Sequence, residues 1–347
     1  MTDLQNNLLG LPPKELQEFF EGLEEKTYRA KQLMQWVYSK QVYDFNSMTN
    51  FNVGLREYLD RHCTLTFDLS SRIDVSRDGT TKWLIGKQDN QIIETVFIPE
   101  DHRGTLCISS QIGCLIDCPF CATGHQGFNR NLKAHEIIGQ VLVAREGLGE
   151  EKKITNIVFM GMGEPLANYN NTLNAIRVLN DGQGLSIGAR HITVSTVGLI
   201  PEIEKLAKED IQVNLAVSLH APDDATRSET MPINKRYPIA DLIEACKDYV
   251  LRTNRRIFFE YVLLKGQNDS VTQSHKLGVL LRGLLCHVNL IPVNPTGDGP
   301  YERTDLGNAK EFQVGLQEFG IPSTVRMEKG IDINAGCGQL RARVLEN

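Results

Sequence analysis

Apolar residues recur at helical spacing through the first 62 positions. Leu16, Phe19, Phe20 and Leu23 form one stripe after Pro12-Pro13, and Ala30, Leu33, Met34 and Val37 form a second. The period then changes. RIDVSR and TKWLIG flank Asp78-Gly79, which signals a hairpin, and QIIETVFI reads as another strand. From Thr105 onward, short β-rich runs alternate with helical patterns. The strands are TLCIS (105–109), NIVFM (156–160), HITVS (191–195), VNLAVSL (213–219), RIFFEYVLL (256–264) and HVNLIPV (287–293). Helical stretches such as AHEIIGQVLVARE and IADLIEACKDYV separate them, and NAKEFQVGLQEF follows the last. Parallel strands need helical crossovers, so this alternation predicts an α/β fold with an open (β/α)6 partial barrel rather than a closed barrel of eight units. Three segments are expected. Residues 1–62 form a helical accessory domain, 63–104 a β-hairpin extension, and 105–347 the barrel with a Gly-rich C-terminal loop around Cys337.

Composition narrows the class. Hydrophobic residues make up 41% and charged residues 23%, enough to build a sizeable core. The formal charge of −6 argues against a protein that coats nucleic acid, though not against a local basic cleft. No run approaches the roughly 20 apolar residues of a membrane helix. The start, MTDLQNNLLGLPP, lacks the basic and apolar regions of a signal peptide, so a cytoplasmic protein with reduced thiols is expected.

The eight cysteines then become the main chemical signal, because four of them fall between residues 107 and 121. Cys114, Cys118 and Cys121 have the spacing C-x3-C-x2-C directly after the first barrel strand. The positions also suit one helix face, but Gly113 and Pro119 argue for a loop that wraps around something. Three thiolates from one loop can hold three irons of a 4Fe–4S cluster and leave the fourth open to an external chelator. Zinc is the alternative, and would need Cys107 or His125 as a fourth ligand. A loop after a barrel strand lies at the face where active sites form.

C-x3-C-x2-C with an aromatic residue, Phe120, before the last cysteine is the radical S-adenosylmethionine (SAM) signature. SSQIGCLIDCPFCATGHQGFNRNL, MGMGEPLAN, SLHAP, MPINKRYPI and DINAGCGQL resemble the RlmN/Cfr family of radical RNA methyltransferases across nearly the whole chain. GFNRNL and the NP-x-GDGPYER segment are closer to the branch that methylates carbon 2 of adenine than to the one that methylates carbon 8. The resemblance implies that the amino and carboxylate groups of SAM chelate the open iron. It implies cofactor contacts at Gly163, Glu164, Ser195, Ser218, Leu219, His220 and Asn294, all at or near strand C-terminal ends. It further implies that Cys337 carries the methyl group, that Cys107 resolves a covalent protein–RNA intermediate by forming a disulfide, and that Glu94 accepts the substrate proton. Two SAM molecules per turnover, 23S rRNA and certain tRNAs as substrates, a reducing donor such as flavodoxin and a monomeric enzyme complete that expectation. Taken alone, Cys107 would read as a core strand residue and Glu94 as a solvated one. Lys247, Arg252, Arg255, Arg256, Arg130, Lys133, Arg341 and Arg343 are the candidate phosphate contacts, although such runs are usually solvated faces. A radical enzyme with another substrate and a non-catalytic metal-bearing RNA-binding module are the competing classes.

Overall fold

The computed structural model describes residues 6–87, 89–294, 296 and 300–341. Its centre is one ten-stranded sheet in which every strand pairs with its neighbours in chain order. The strands are β1 (Ser70–Val75), β2 (Thr81–Gly86), β3 (Ile92–Glu100), β4 (Arg103–Cys107), β5 (Asn156–Phe159), β6 (Ile192–Thr196), β7 (Asn214–Ser218), β8 (Ile257–Leu263), β9 (Cys286–Pro292) and β10 (Ser323–Val325). The first four run antiparallel to one another. From β4 to β10 every pairing is parallel.

The six expected barrel strands are all present, at slightly different bounds. A seventh parallel strand, the short β10, adds to the far edge. Its three residues precede the Gly-rich run, and so short an element leaves little periodic trace. The hairpin extension is continuous with the barrel, since β3 pairs with β4 from Val96↔Cys107 to Glu100↔Arg103.

Helices α1 (Pro13–Gly22), α2 (Tyr28–Met34) and α3 (Val53–His62) form the N-terminal region. Their apolar stripes, including Leu16, Phe20, Leu33, Met34, Leu55 and Leu59, join the same hydrophobic core as the barrel. The crossover helices are α4 (Ala134–Leu148), α5 (Tyr169–Asn180), α6 (Ile200–Leu206), α7 (Asp224–Thr230), α8 (Ile239–Thr253), α9 (Val271–Leu281) and α10 (Leu306–Gln317). The central strands bury one face against the crossover helices, through Ile157, Phe159, Ile192 and Val194, while alternate residues such as Val158, Thr193 and Ser195 are half-buried on the inner face. Among the described residues no helix is long and apolar enough to cross a membrane.

Side chains from β4 to β10 line one lumen. Thr105, Val158, Thr193, Asn214, Phe258, Asn289 and Thr324 share its wall, so the sheet curls around the space. The lumen leads upward to Cys107 and Cys337.

Candidate active site

The cysteine loop leaves the sheet through a short ribbon, Gln111–Gly113 against Phe128–Asn131. Gly113 has φ +74°, and a Cβ there would lie 1.9 Å from the Gly127 carbonyl oxygen, so only glycine fits. The Cys114 N–H donates to that same oxygen at 2.9 Å, and the Cys121 N–H to the Cys118 carbonyl at 3.0 Å. These bonds close a loop rather than a helix, as Gly113 and Pro119 suggested. Cys118 and Phe120 pack with Met231, Val262, Leu264 and Val293 in an apolar cluster separate from the main core. The Cys118 sulfur lies 3.6 Å from the Met231 sulfur.

Cys114, Cys118 and Cys121 face one cavity, which holds about 990 Å³ of space continuous with solvent. That is room for a nucleoside-sized ligand. Burial pushes the Cys114 thiol up to about 12 and the Cys118 thiol well above its ordinary value, and the thiols' own charges add to both. Such thiols ionise readily only against a bound cation, which suits metal ligands. Among the described residues no three Cys, His, Asp or Glu side chains converge as a single metal ion requires. Three sulfurs along a wall suit a cluster, where each meets a different iron. The residues present therefore fit a 4Fe–4S cluster with an open corner.

Gly163, Glu164, Ser195, Ser218, His220 and Asn294 line the same cavity. Gly163 has φ +93°, and a Cβ would meet the Gln111 side chain at 2.4 Å. Glu164 is buried, and its two oxygens accept the N–H groups of Leu166 (3.0 Å) and Val197 (2.8 Å). Burial pushes its carboxyl up to about 7 against those donors, and an ammonium group would relieve that cost. Burial, with the Arg227 charge, pulls His220 down to about 3. The ring is therefore neutral, and its Nδ1 accepts the Val262 N–H at 3.0 Å, which places the proton on Nε2. Leu219 differs from the rest. Its side chain lies in the core, and its carbonyl accepts from Arg227.

Cys337 lines both this cavity and the lumen beneath it, and Cys107 lines the lumen. Cys337 is exposed to the cavity, and the surrounding protein raises its thiol through desolvation. Burial raises the Cys107 thiol, and a charge on Cys337 would raise it further. The Cys337 carbonyl accepts from Asn294 Nδ2 at 3.1 Å. Ala122 N–H and Thr123 Oγ1 donate to the carbonyls of Gly338 (2.8 Å) and Leu340 (2.6 Å), joining the C-terminal loop to the cysteine loop.

Glu94 shares the sheet face of Cys107, because Val96 pairs with Cys107 and Glu94 lies two residues before Val96. It is buried and lies 3.2 Å from Lys82 Nζ, while its Oε2 accepts the Arg341 N–H at 3.0 Å. It lines neither cavity.

Several structural partners escaped sequence reasoning. Lys82 Nζ also donates to the Ile333 carbonyl at 2.6 Å, and Ser76 Oγ to Asp332 at 2.6 Å, so the hairpin extension holds the Cys337 loop. Arg227, fully buried, donates to the carbonyls of Leu219, Tyr237, Val197 and Ser218. Glu260 was legible as a lone charge inside the apolar strand IFFEYVLL. Of the basic candidates, Arg130 is held by Glu136 and Asp89, Lys247 by Glu244 and Arg255 by Asn214. Lys133, Arg252 and Arg256 are exposed, and Arg343 lies outside the described residues.

A partial barrel with three thiols on its first loop and a Gly-Glu turn on its second defines a radical SAM enzyme. Residues 108–276 match the Radical SAM superfamily, and residues 6–65 match the ribosomal RNA large subunit methyltransferase N-terminal domain. A radical SAM methyltransferase from Sphaerobacter thermophilus superposes with a TM-score of 0.91 at 47% identity, covering 97% of this chain and 99% of that one. The probable dual-specificity RNA methyltransferase RlmN of Alkaliphilus oremlandii is 47% identical over 98% of this chain and 99% of its own length. The dual-specificity RNA methyltransferase RlmN of Marinobacter nauticus is 44% identical over 97% of this chain and 93% of its own. The chain belongs to the RlmN family of radical SAM RNA methyltransferases, whose chemistry uses SAM and a 4Fe–4S cluster.

Proposed function

We propose that this enzyme methylates carbon 2 of an adenine in 23S rRNA, and of an adenine in certain tRNAs, through a methylated Cys337. The observation that carries this reading is the position of Cys337, which belongs to the wall of the cysteine-loop cavity and to the lumen that holds Cys107. A methyl carrier must meet the cofactor on one side and the substrate and resolving thiol on the other. Cys114, Cys118 and Cys121 would hold the cluster. Gly163, Glu164, Ser195, Ser218, His220 and Asn294 would hold SAM, with Leu219 contributing through its backbone. When bound, the cluster and two SAM molecules per turnover supply the methyl group and the radical that activates it.

Carbon 2 of adenine is electron-poor and no ordinary nucleophile, which is why a carbon bound first to Cys337 is useful. Cys337 presents that carbon to the base. Glu94, whose carboxylate lies beside Lys82, takes the carbon-2 proton. That step requires the Arg341 N–H to release Oε2. Cys107, as a thiolate, attacks the Cys337 sulfur, an S–S bond forms and the S–C bond breaks; its electron pair stays on the departing carbon, which takes up a proton to become the methyl group, while the odd electron left by radical addition would pass back to the cluster. The base must be unstacked to reach the lumen, so the substrate is a loop or protein-free RNA. The reading further takes residues 1–62 as an RNA-contacting accessory domain, residues 63–104 as the extension and 105–347 as the catalytic unit. It takes the enzyme as a cytoplasmic monomer served by a donor such as flavodoxin.

Mass spectrometry of the purified protein tests the reading. A methyl group on Cys337, together with 2-methyladenosine in digested RNA, is expected. An unmodified Cys337 in an active enzyme would overturn the carrier role, and 8-methyladenosine would overturn the carbon-2 assignment.

A further inference from the structure

Glu260 sits in the middle of β8 with its side chain 6% exposed. Its Oε1 accepts from Asn289 Nδ2 on the neighbouring strand at 2.8 Å and lies 3.8 Å from Arg326 Nη2. Its Oε2 is buried and has no hydrogen-bond partner among the described residues. Leaving a buried acceptor unsatisfied is costly, and more so when it is charged. Burial accordingly raises this carboxyl, with Arg326 and Asn289 pulling against it. The mechanism above gives the group no task.

Its location suggests one. Five residues belong to both the cysteine-loop cavity and the lumen: Met160, Glu260, Ile291, Asn294 and Cys337. Glu260 is the only carboxylate among them. The Asn294 amide is already used, since Nδ2 donates to Cys337 and Oδ1 accepts from Arg303 at 3.2 Å. A base that reaches the Cys337 sulfur must enter this junction, which Glu260 lines and where its Oε2 is the carboxylate oxygen left without a donor. Adenine carries one on the same edge as carbon 2, because the exocyclic amino group and carbon 2 both flank N1. Uracil and hypoxanthine present a carbonyl oxygen at the equivalent position, and a carboxylate repels it.

We propose that Glu260 is a specificity-determining residue whose Oε2 accepts the exocyclic amino group of the target adenine and turns carbon 2 toward Cys337. This rests on the reading of adenine as the target. Asn289 holds the carboxyl in place through Oε1, so the contact is preorganised.

The test uses synthetic hairpin RNAs, from the tRNA anticodon loop and from the peptidyl-transferase loop, with adenosine, inosine or purine riboside at the target position. In Glu260→Gln the amide oxygen keeps the Asn289 bond, so the amide N–H₂ points into the junction. It then opposes an amino group and suits a carbonyl. The adenosine-to-inosine ratio of kcat/KM should fall by about 5- to 150-fold relative to wild type, the range of a base-edge contact. Purine riboside, which lacks the amino group, should be used by both enzymes within about threefold. Differences in the intrinsic reactivity of the bases cancel in these ratios. An equal loss on all three RNAs would make Glu260 merely structural and overturn the proposal. So would weaker SAM binding in the absence of RNA, which would make it a cofactor ligand. Cys337 methylation, read separately by mass spectrometry, should be the same in both proteins. A wild type lacking it but selective for adenosine would sink the carrier reading while leaving the Glu260 ratio decisive.

Discussion

Two loops face each other across the cavity, and they are held in opposite ways. The cysteine loop is fixed by its own neighbours, through bonds from Cys114 to Gly127, from Cys121 to Cys118 and from Gly124 to Cys121. Apolar side chains wrap it. The Cys337 loop is fixed by residues 247 to 256 positions earlier in the chain, through Ser76–Asp332, Asp78–Gly330, Lys82–Ile333 and Glu94–Arg341. Those tethers are polar, and they leave the Cys337 side chain open to the cavity. A rigid apolar nest suits a permanently bound group. A polar tether suits a thiol that must meet several partners in sequence. The antiparallel extension β1–β3 is the anchor of the second loop.

The largest effects should separate the loops outright. Changing any one of Cys114, Cys118 or Cys121 to Ala should abolish iron retention, the absorption near 400 nm and SAM cleavage. Cys337→Ala should retain the cluster and SAM binding and lose RNA methylation altogether. Iron analysis beside a methylation assay reads both. A Cys118→Ala protein with a full cluster and full cleavage would remove the distinction at its root.

Cys107→Ala should stall the reaction rather than prevent it. The cluster should assemble and Cys337 should be methylated, but no thiolate remains to break the S–C bond. A protein–RNA adduct should accumulate on denaturing gels, disappear on nuclease treatment, and be absent from the Cys107→Ala/Cys337→Ala double variant. Normal product with no adduct would return Cys107 to the role of a core strand residue.

The same contrast explains what could be read in the chain beforehand. The cysteine loop was legible because its ligand spacing, its glycine and its proline lie within ten residues of one another, and local geometry leaves little freedom. The barrel was legible because each strand–helix unit repeats a periodic pattern. Cys337 and Cys107 came only through resemblance, since nothing local marks them as partners. Lys82 and Asp332 were invisible, because a buried tether over such separations has no sequence period. Glu94 looked like a solvated strand residue and is instead buried beside Lys82. Glu260 interrupts an apolar strand, a signal that the pattern displayed and periodicity could not interpret.

Lys82→Met should weaken only the second loop. It removes the donor to Ile333 and the Lys82 cation beside the buried Glu94 carboxylate. Breaking one side of a buried ion pair costs about 3–5 kcal/mol, part of which the Arg341 N–H should offset here. Iron content should stay near wild type, while Cys337 methylation slows by at least about tenfold. A Lys82→Met/Glu94→Gln double variant should recover part of the lost stability, because the buried carboxylate that Lys82 faced is then neutral. Parallel loss of iron and methylation would show that the two loops are not independently anchored.

The smallest effect concerns the outermost tether. The Asp78 carboxylate accepts the N–H groups of Thr80 at 2.9 Å and of Gly330 at 3.0 Å. Burial opposes its ionisation, but hydrogen bonds from Thr80, Gly330 and Ser76 outweigh that and hold the carboxyl at about 2. A folded value below the unfolded one of about 3.9 means that the tether's contribution is complete above pH 4. It should fade only as the pH falls toward 2. Amide exchange at Gly330, corrected for its intrinsic pH dependence, should therefore be flat from pH 5 to 8. Asp78→Ala should speed that exchange severalfold and leave the exchange of Cys121 and Gly124 unchanged, because their carbonyl partners lie within the first loop. A protection step near neutral pH at Gly330 would assign the tether to some other titrating group. Faster exchange at Gly124 in Asp78→Ala would show that strain passes through the Ala122–Gly338 bond, so that the two loops move as one.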